Sequence, residues 1–304
     1  MDKLTSNLAK CITRAASKQT FLTIRFLVDR DRIEDAYRAY AYFRWVDDLL
    51  DGERLEESER GDFLFRQKEL VDRCYRGKRV SGINDHENLI VELIRSDTGY
   101  NSGLRSYIYN MMAVMAFDSS RRGRPISQAE LTRYSLYLAT AVTDALHHFI
   151  GHDDPAPQIP TRYLAVKAAH ITHMLRDAID DNRAGYYNIP RVFLAYNGIT
   201  PQDMASEPYR AWVQSRVHLA RTYFSAGRDY LAQVSNLRCY IAGYTYIARF
   251  ESVLETIEQD DYRLPLDFST CRNSGFGLRL GWTTLSQAVV RRYFGSLSGA
   301  LTDR

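Results

Sequence analysis

Apolar residues recur at i, i+3, i+4 and i+7 through most of the chain, and no stretch alternates convincingly between apolar and polar positions. That spacing lines apolar side chains along one stripe of a helix and polar ones along the other. The pattern stops at short segments rich in Gly, Pro, Ser and Asn. These are GKRVSG at 77–82, SDTGYNSG at 96–103, SSRRGRPIS at 119–127, HDDPAPQIP at 152–160, AGYYNIP at 184–190 and YNGITPQ at 196–202. A longer break runs from about Leu264 to Gly281. None reads as a linker between independent domains, and no repeat of solenoid period stands out. The expectation is an all-α fold of about ten helices, built as one domain over residues 1–304.

Two of the expected helices carry the same unusual pattern, AYFRWVDDLLDG at 41–52 and HMLRDAIDDNRAG at 173–185. In the first, Asp47 and Asp51 are one turn apart and share a face with Tyr40 and Arg44, while Tyr42, Trp45, Val46 and Leu49 fall opposite. In the second, Asp177 and Asp181 repeat the spacing, with His170 and His173 extending the stripe and Ile171, Leu175, Ala178 and Ile179 on the other side. For either helix alone, a solvated face is the ordinary reading. Solvated faces usually mix Lys and Glu, however, whereas Asp is a poorer helix former and a better ligand for hard cations. Carboxylates one turn apart repel unless something positive lies between them.

A divalent cation relieves that repulsion. Mg²⁺ suits a site made of few carboxylates, because it retains water and completes its shell with phosphate oxygens. The implied ligand is a phosphate ester or diphosphate, with Arg44 and Arg176 holding phosphate charge or bracing the aspartates. Aromatic residues make up 12% of the chain, with 21 Tyr, which suits lining something large and apolar. Metal-assisted loss of diphosphate from an allylic carbon leaves a carbocation, which needs a dry, aromatic-lined cavity. The chemistry expected is therefore isoprenoid.

Composition narrows the alternatives. A net charge of +3 from 40 basic and 37 acidic residues, well interleaved, does not suit a nucleic-acid binder. Cys11, Cys74, Cys239 and Cys271 are widely spaced, which indicates neither a zinc site nor a disulfide scaffold and fits a reducing cytoplasm. The N-terminal stretch lacks the apolar core of a signal peptide, and no stretch approaches the ~18 apolar residues of a spanning helix. Any membrane contact is expected to be peripheral. His147 and His148 with Asp144 are expected to be hydrogen-bonded rather than metal-bound, and the 119–125 segment to be a solvated loop. Lys18 is expected to be solvated, and at least one of Tyr240, Tyr244 and Tyr246 to fill core. The glycines of NSGFGLRLG follow no strand, so no nucleotide-binding loop and no NADPH site can be assigned.

These residues resemble the squalene, dehydrosqualene and phytoene synthases, which join two prenyl diphosphates head to head. TFLTIRFLVDRDRIEDAYRAYAYFRWVDDLLDG looks like that family's first segment, giving Phe21, Tyr40, Arg44, Asp47, Asp48 and Asp51. HMLRDAIDDNRAGYYNIP is similar to its second, giving Arg176, Asp177, Asp181 and Pro190, and AELTRYSLYLATAVTDAL supplies Tyr134 as the tyrosine of the intervening helix. FESVLETIEQDDY resembles a late family helix, and the match in order covers roughly residues 17 to 262. The resemblance implies a single all-α bundle around a deep central cavity. Asp47, Asp51, Asp177 and Asp181, with Asp48 beside them, would bind two or three Mg²⁺ ions with the diphosphate, and Tyr40, Arg44 and Arg176 would order the phosphates. Tyr134 would assist catalysis, while Phe21, Ala139, Val142 and His173 would line the cavity.

The chain also departs from the family pattern. His170 and His173 stand where Gln and Asn are usual, and Thr140 and Thr143 in ATAVT stand where glycines leave room. Phe250 replaces a common tyrosine, and only Arg263 represents an expected arginine cluster. These changes spare ionisation and bear on coupling. A terpene cyclase that ionises one prenyl diphosphate is thus a second reading, and a non-enzymatic helical assembly factor a third.

Overall fold

The computed structural model describes residues 2–52, 56–99, 102–151 and 156–265. Cys271, the NSGFGLRLG glycines and most of the break after Leu264 lie outside them. The described residues form twelve α-helices and two short 3-10 helices, with no β-strand. Among the described residues, interruptions at Ser17, 28–32, Gly52, Asp177 and 232–236 fall outside the expected breaks. The chain divides into two compact units, residues 1–155 and 156–304.

The first unit contains α1 (Asp2–Ala16), α2 (Lys18–Leu27), a 3-10 turn at Arg30–Arg32, α3 (Ile33–Asp51), α4 (Glu57–Tyr75), α5 (Asp85–Ser96), α6 (Gly103–Arg121) and α7 (Gln128–Phe149). Ser17 ends α1 and caps α2, its hydroxyl accepting from the Thr20 amide at 3.1 Å. Ser127 opens α7 with a reciprocal capping box to Glu130. Helix α3 lies against α1, α2, α5 and α6, and α6 packs along α7.

The rotation of α3 is set by its buried side. Tyr42 and Val46 are fully buried, and Trp45 stacks on His86 with ring centroids 5.1 Å apart. The Tyr42 hydroxyl donates to Gln67 Oε1 at 3.0 Å, and Gln67 Nε2 donates to Glu87 Oε1 at 2.9 Å. Glu87 in turn takes two bonds from Arg66, at 2.8 and 2.9 Å. A polar chain satisfied at every link tolerates little rotation. It leaves Arg44, Asp47, Asp48 and Asp51 on the opposite, open side of α3, as the spacing predicts.

The second unit contains a 3-10 turn at Pro160–Tyr163, α8 (Leu164–Arg176), α9 (Ala178–Arg183), α10 (Arg191–Asn197), α11 (Glu207–Leu231) and α12 (Leu237–Gln259). Helices α8, α11 and α12 pack pairwise. Gly227 permits the α8–α11 approach, because a Cβ there would lie 2.7 Å from the Ala165 Cβ and 3.0 Å from its backbone. Gly198 ends α10 at φ 62°, a left-handed conformation that glycine adopts without penalty.

One expectation is corrected here. The second acidic run does not ride one continuous helix, since α8 stops at Arg176 and α9 begins at Ala178. Asp177 sits between them at φ −93°, ψ 2°. The Asp181 amide still donates to the Asp177 carbonyl at 2.8 Å, so the one-turn spacing of the two aspartates survives the break. The histidines do not share one exposed stripe either: His170 is buried, while the outer edge of His173 is open.

Candidate active site

In the first unit the end of α3 gathers charge. Arg44 bonds Asp48 and lies 3.6 Å from Asp47. Burial, then the Asp51 charge, push the Asp47 carboxyl up to about 6, with Asp118 and Asp48 adding and Arg44 opposing. The carboxylates thus lack enough local positive charge, the condition a bound cation corrects. Tyr40, half-buried, lies one turn before Arg44 on the same helix.

Tyr134 is buried on α7 and stacks on Phe117, ring centroids 4.9 Å apart. Its hydroxyl donates to Asp118 Oδ2 at 2.8 Å, while Arg121 Nε donates to Asp118 Oδ1 at 2.8 Å. The Arg121 guanidinium also lies 5.3 Å from the centre of the Tyr134 ring. Burial and the Asp118 charge drive the Tyr134 phenol well above its ordinary range, so it stays protonated as a donor. Burial raises the Asp118 carboxyl too, against the pull of Arg121 and Tyr134.

Asp118 and Arg121 are the residues that sequence reasoning missed. The expectation of a solvated loop over 119–125 is wrong for Arg121, which is buried and paired. A signal existed: Asp118 and Arg121 stand one turn apart at the end of the apolar run MMAVMAF, where an ion pair can be carried inward.

Of the expected cavity residues in this unit, Phe21 is half-buried with its ring 5.3 Å from Tyr37, Ala139 is fully buried, and Val142 is half-buried. Thr143 is buried with an unpartnered hydroxyl among the described residues. Lys18 is exposed, as expected. The 144–148 group is hydrogen-bonded, as expected: Ser106 donates to Asp144 at 2.6 Å, and Arg32 Nη1 lies 2.8 Å from His148 Nδ1.

In the second unit Arg176 donates two 2.6 Å bonds to Asp177, a geometry that orients that aspartate. Asn188, buried after α9, donates to Asp181 Oδ2 at 2.7 Å and orients the second aspartate. The Asp181 charge also contributes to raising the Tyr209 phenol, which burial pushes to about 12. His173 lies 3.8 Å from Asp177 and 5.2 Å from the Phe250 ring. Desolvation beside that ring and the Arg176 charge hold its imidazole down to about 4, with Asp177 opposing, so it is neutral at pH 7. Tyr240 is core and stacks on Tyr244 at 4.4 Å.

Among the described residues no three His, Cys, Asp or Glu side chains are placed to hold a metal ion by themselves. Asp47 and Asp51 on one unit, and Asp177 and Asp181 on the other, could supply carboxylates to such an ion.

Residues 13–279 match the family model of squalene/phytoene synthase. The chain belongs to the squalene/phytoene synthase family. The family consists of prenyl-transferring enzymes. The chain is 24% identical over 99 residues to the chloroplastic phytoene synthase 1 of Solanum lycopersicum, a match over 31% of this chain and 24% of that relative's length. Its fold is similar to the crystal structure of squalene synthase HpnC from Alicyclobacillus acidocaldarius, with a TM-score of 0.69 at 18% identity, covering 86% of this chain and 96% of that one. It is also similar to a ligand-bound dehydrosqualene synthase, with a TM-score of 0.70 at 16% identity, covering 97% of this chain and 98% of that one. At these identities the structural likeness speaks for the all-α fold alone.

Proposed function

We propose that this chain couples two prenyl diphosphates of C15 or C20 length head to head, in a reaction that depends on Mg²⁺. Family membership supports the reaction class. The observation that carries the reading is the crowding of carboxylates at the end of α3, where burial first and the Asp51 charge second lift Asp47 to about 6. Carboxylates in that state are poised to accept a cation and, with it, a diphosphate. Asp177 and Asp181, each held by its own partner, offer carboxylates of the same kind in the second unit.

Bound Mg²⁺ supplies the positive charge that makes diphosphate a leaving group. The chain's own residues do the rest. Arg44, with Tyr40 beside it, orders the leaving diphosphate, and Arg176 keeps Asp177 oriented. Breaking the C1–O bond of one substrate gives an allylic cation, which attacks the double bond of the second. Loss of a proton to the released diphosphate then closes a cyclopropylcarbinyl diphosphate. A second C–O cleavage releases the other diphosphate, and the rearranged cation ends as a linear hydrocarbon by giving up a proton to that diphosphate or by taking hydride from a reduced nicotinamide. Tyr134, which burial first and the Asp118 charge second keep protonated, holds a neutral oxygen rather than a nucleophilic phenolate, which is what a carbocation site requires.

The test is incubation of the purified protein with Mg²⁺ and C15 or C20 diphosphates, followed by measurement of diphosphate release and product mass. A product of doubled carbon count is expected. A cyclic product of unchanged carbon count would transfer the scaffold to terpene cyclisation, and no diphosphate release from any prenyl substrate would leave a non-catalytic role.

A further inference from the structure

Residues 3–28 contain Lys3, Lys10, Arg14, Lys18 and Arg25 and no acidic residue, in a chain whose charges are otherwise interleaved. Helices α1 and α2 carry this stretch. Lys10 is committed to Glu34 at 2.6 Å. Arg14, Lys18 and Arg25 are exposed, and Lys18 and Arg25 form no ion pair among the described residues. Between and beside them, one turn apart on α2, stand Leu22 at 52% exposure and Phe26 at 71%. The buried residue of α2 is Ile24, on a different face. Two large apolar side chains left exposed on the helix that carries Lys18 and Arg25, with Arg14 over the Phe21 ring beside them, are not explained by the packing of the unit.

We propose that α2, with the end of α1, docks this protein onto an anionic lipid surface. Leu22 and Phe26 enter the boundary between headgroups and acyl chains, while Arg14, Lys18 and Arg25 meet lipid phosphates. The charge pattern favours lipid over a protein partner. Two apolar side chains offer far less than the ~800 Å² per partner of a stable protein interface, whereas basic residues around a small apolar wedge are sufficient for reversible membrane contact. Among the described residues no helix is long and apolar enough to cross a membrane, so this contact is peripheral. The inference stands on the exposed face and not on the proposed reaction.

Co-sedimentation with sucrose-loaded vesicles tests it, comparing phosphatidylcholine alone with equal parts phosphatidylcholine and phosphatidylglycerol. The full chain is expected to pellet with the anionic vesicles and to be released by added salt. Each basic side chain removed should weaken partitioning about fivefold, so K18E/R25E should lose at least ~25-fold. L22S/F26S should lose at least ~10-fold. Phe26→Trp should give emission that shifts to the blue on anionic vesicles only. Circular dichroism and the unfolding midpoint check that the variants remain folded. Failure of the wild type to pellet, equal binding to neutral vesicles, or unchanged binding by both double variants would overturn the proposal. So would a self-associated wild type that L22S/F26S makes monomeric, since a second copy would then own the face.

Discussion

Asp47→Asn should make the metal-free protein more stable at neutral pH, although it removes a residue proposed to serve the reaction. The carboxyl rises from 3.8 to about 6 on folding, because of burial and then the charge of Asp51. At about 1.4 kcal/mol per tenfold change, that rise caps the cost of keeping Asp47 charged at ~3 kcal/mol. The side chain retains 39% exposure, so solvent screening reduces the figure to about 1 kcal/mol. The sign follows from linkage. With a folded value above the unfolded one, the native state binds the extra proton, and the stability contributed by Asp47 is present below about pH 4 and lost as the pH rises through about 6. The asparagine carries no such penalty. Urea unfolding of both proteins in chelator, between pH 4.5 and 8, should therefore show the variant gaining on the wild type as pH rises, to ~1 kcal/mol above pH 7. An advantage that is absent at pH 8, or equally large at pH 4.5, would refute the electrostatic reasoning.

Asp118→Ala should cost about 3 kcal/mol, because it removes the buried carboxylate that both the Arg121 guanidinium and the Tyr134 hydroxyl bond, and a double-mutant cycle with Arg121→Met should show coupling above ~1 kcal/mol. Glu87→Ala should cost about 3 kcal/mol at pH 7 by breaking the bonds from Arg66, Gln67 and the Asn84 amide. Burial works against the Glu87 carboxylate, but those bonds prevail and hold its pKa below the ordinary 4.5. Glu87 therefore stabilises the fold above pH 4.5, and chemical denaturation should show the difference between wild type and variant shrinking as the pH falls below that value. Thr143→Val should raise stability by about 1 kcal/mol, seen as a higher unfolding midpoint, because it removes a buried hydroxyl without a partner.

The fold class and the open face of α3 were legible because both depend on local periodicity. Tyr42 and Val46 fall inward and Asp47 and Asp51 outward for the same reason, a 100° turn per residue. The break at Asp177 was not legible, since the apolar stripe of Ile171, Leu175 and Ala178 continues through it and gives no stop signal. Nor was the Asp118–Arg121–Tyr134 cluster, because the pairing of α6 with α7 brings together residues 16 apart in sequence. The bracing of Asp181 by Asn188 crosses a turn after α9 and is likewise a product of folding, not of spacing. Residue type alone marked Arg176 as a phosphate ligand or a brace, and its two bonds to Asp177 could not be read from the sequence.

That each acidic run contributes to binding diphosphate through Mg²⁺ is tested most directly by calorimetric titration of inorganic pyrophosphate into the protein, with and without Mg²⁺. Binding should require Mg²⁺, and Asp47→Asn and Asp181→Asn should each weaken it by roughly tenfold or more. Pyrophosphate binding that persists in chelator, or that survives either substitution unchanged, would contradict it.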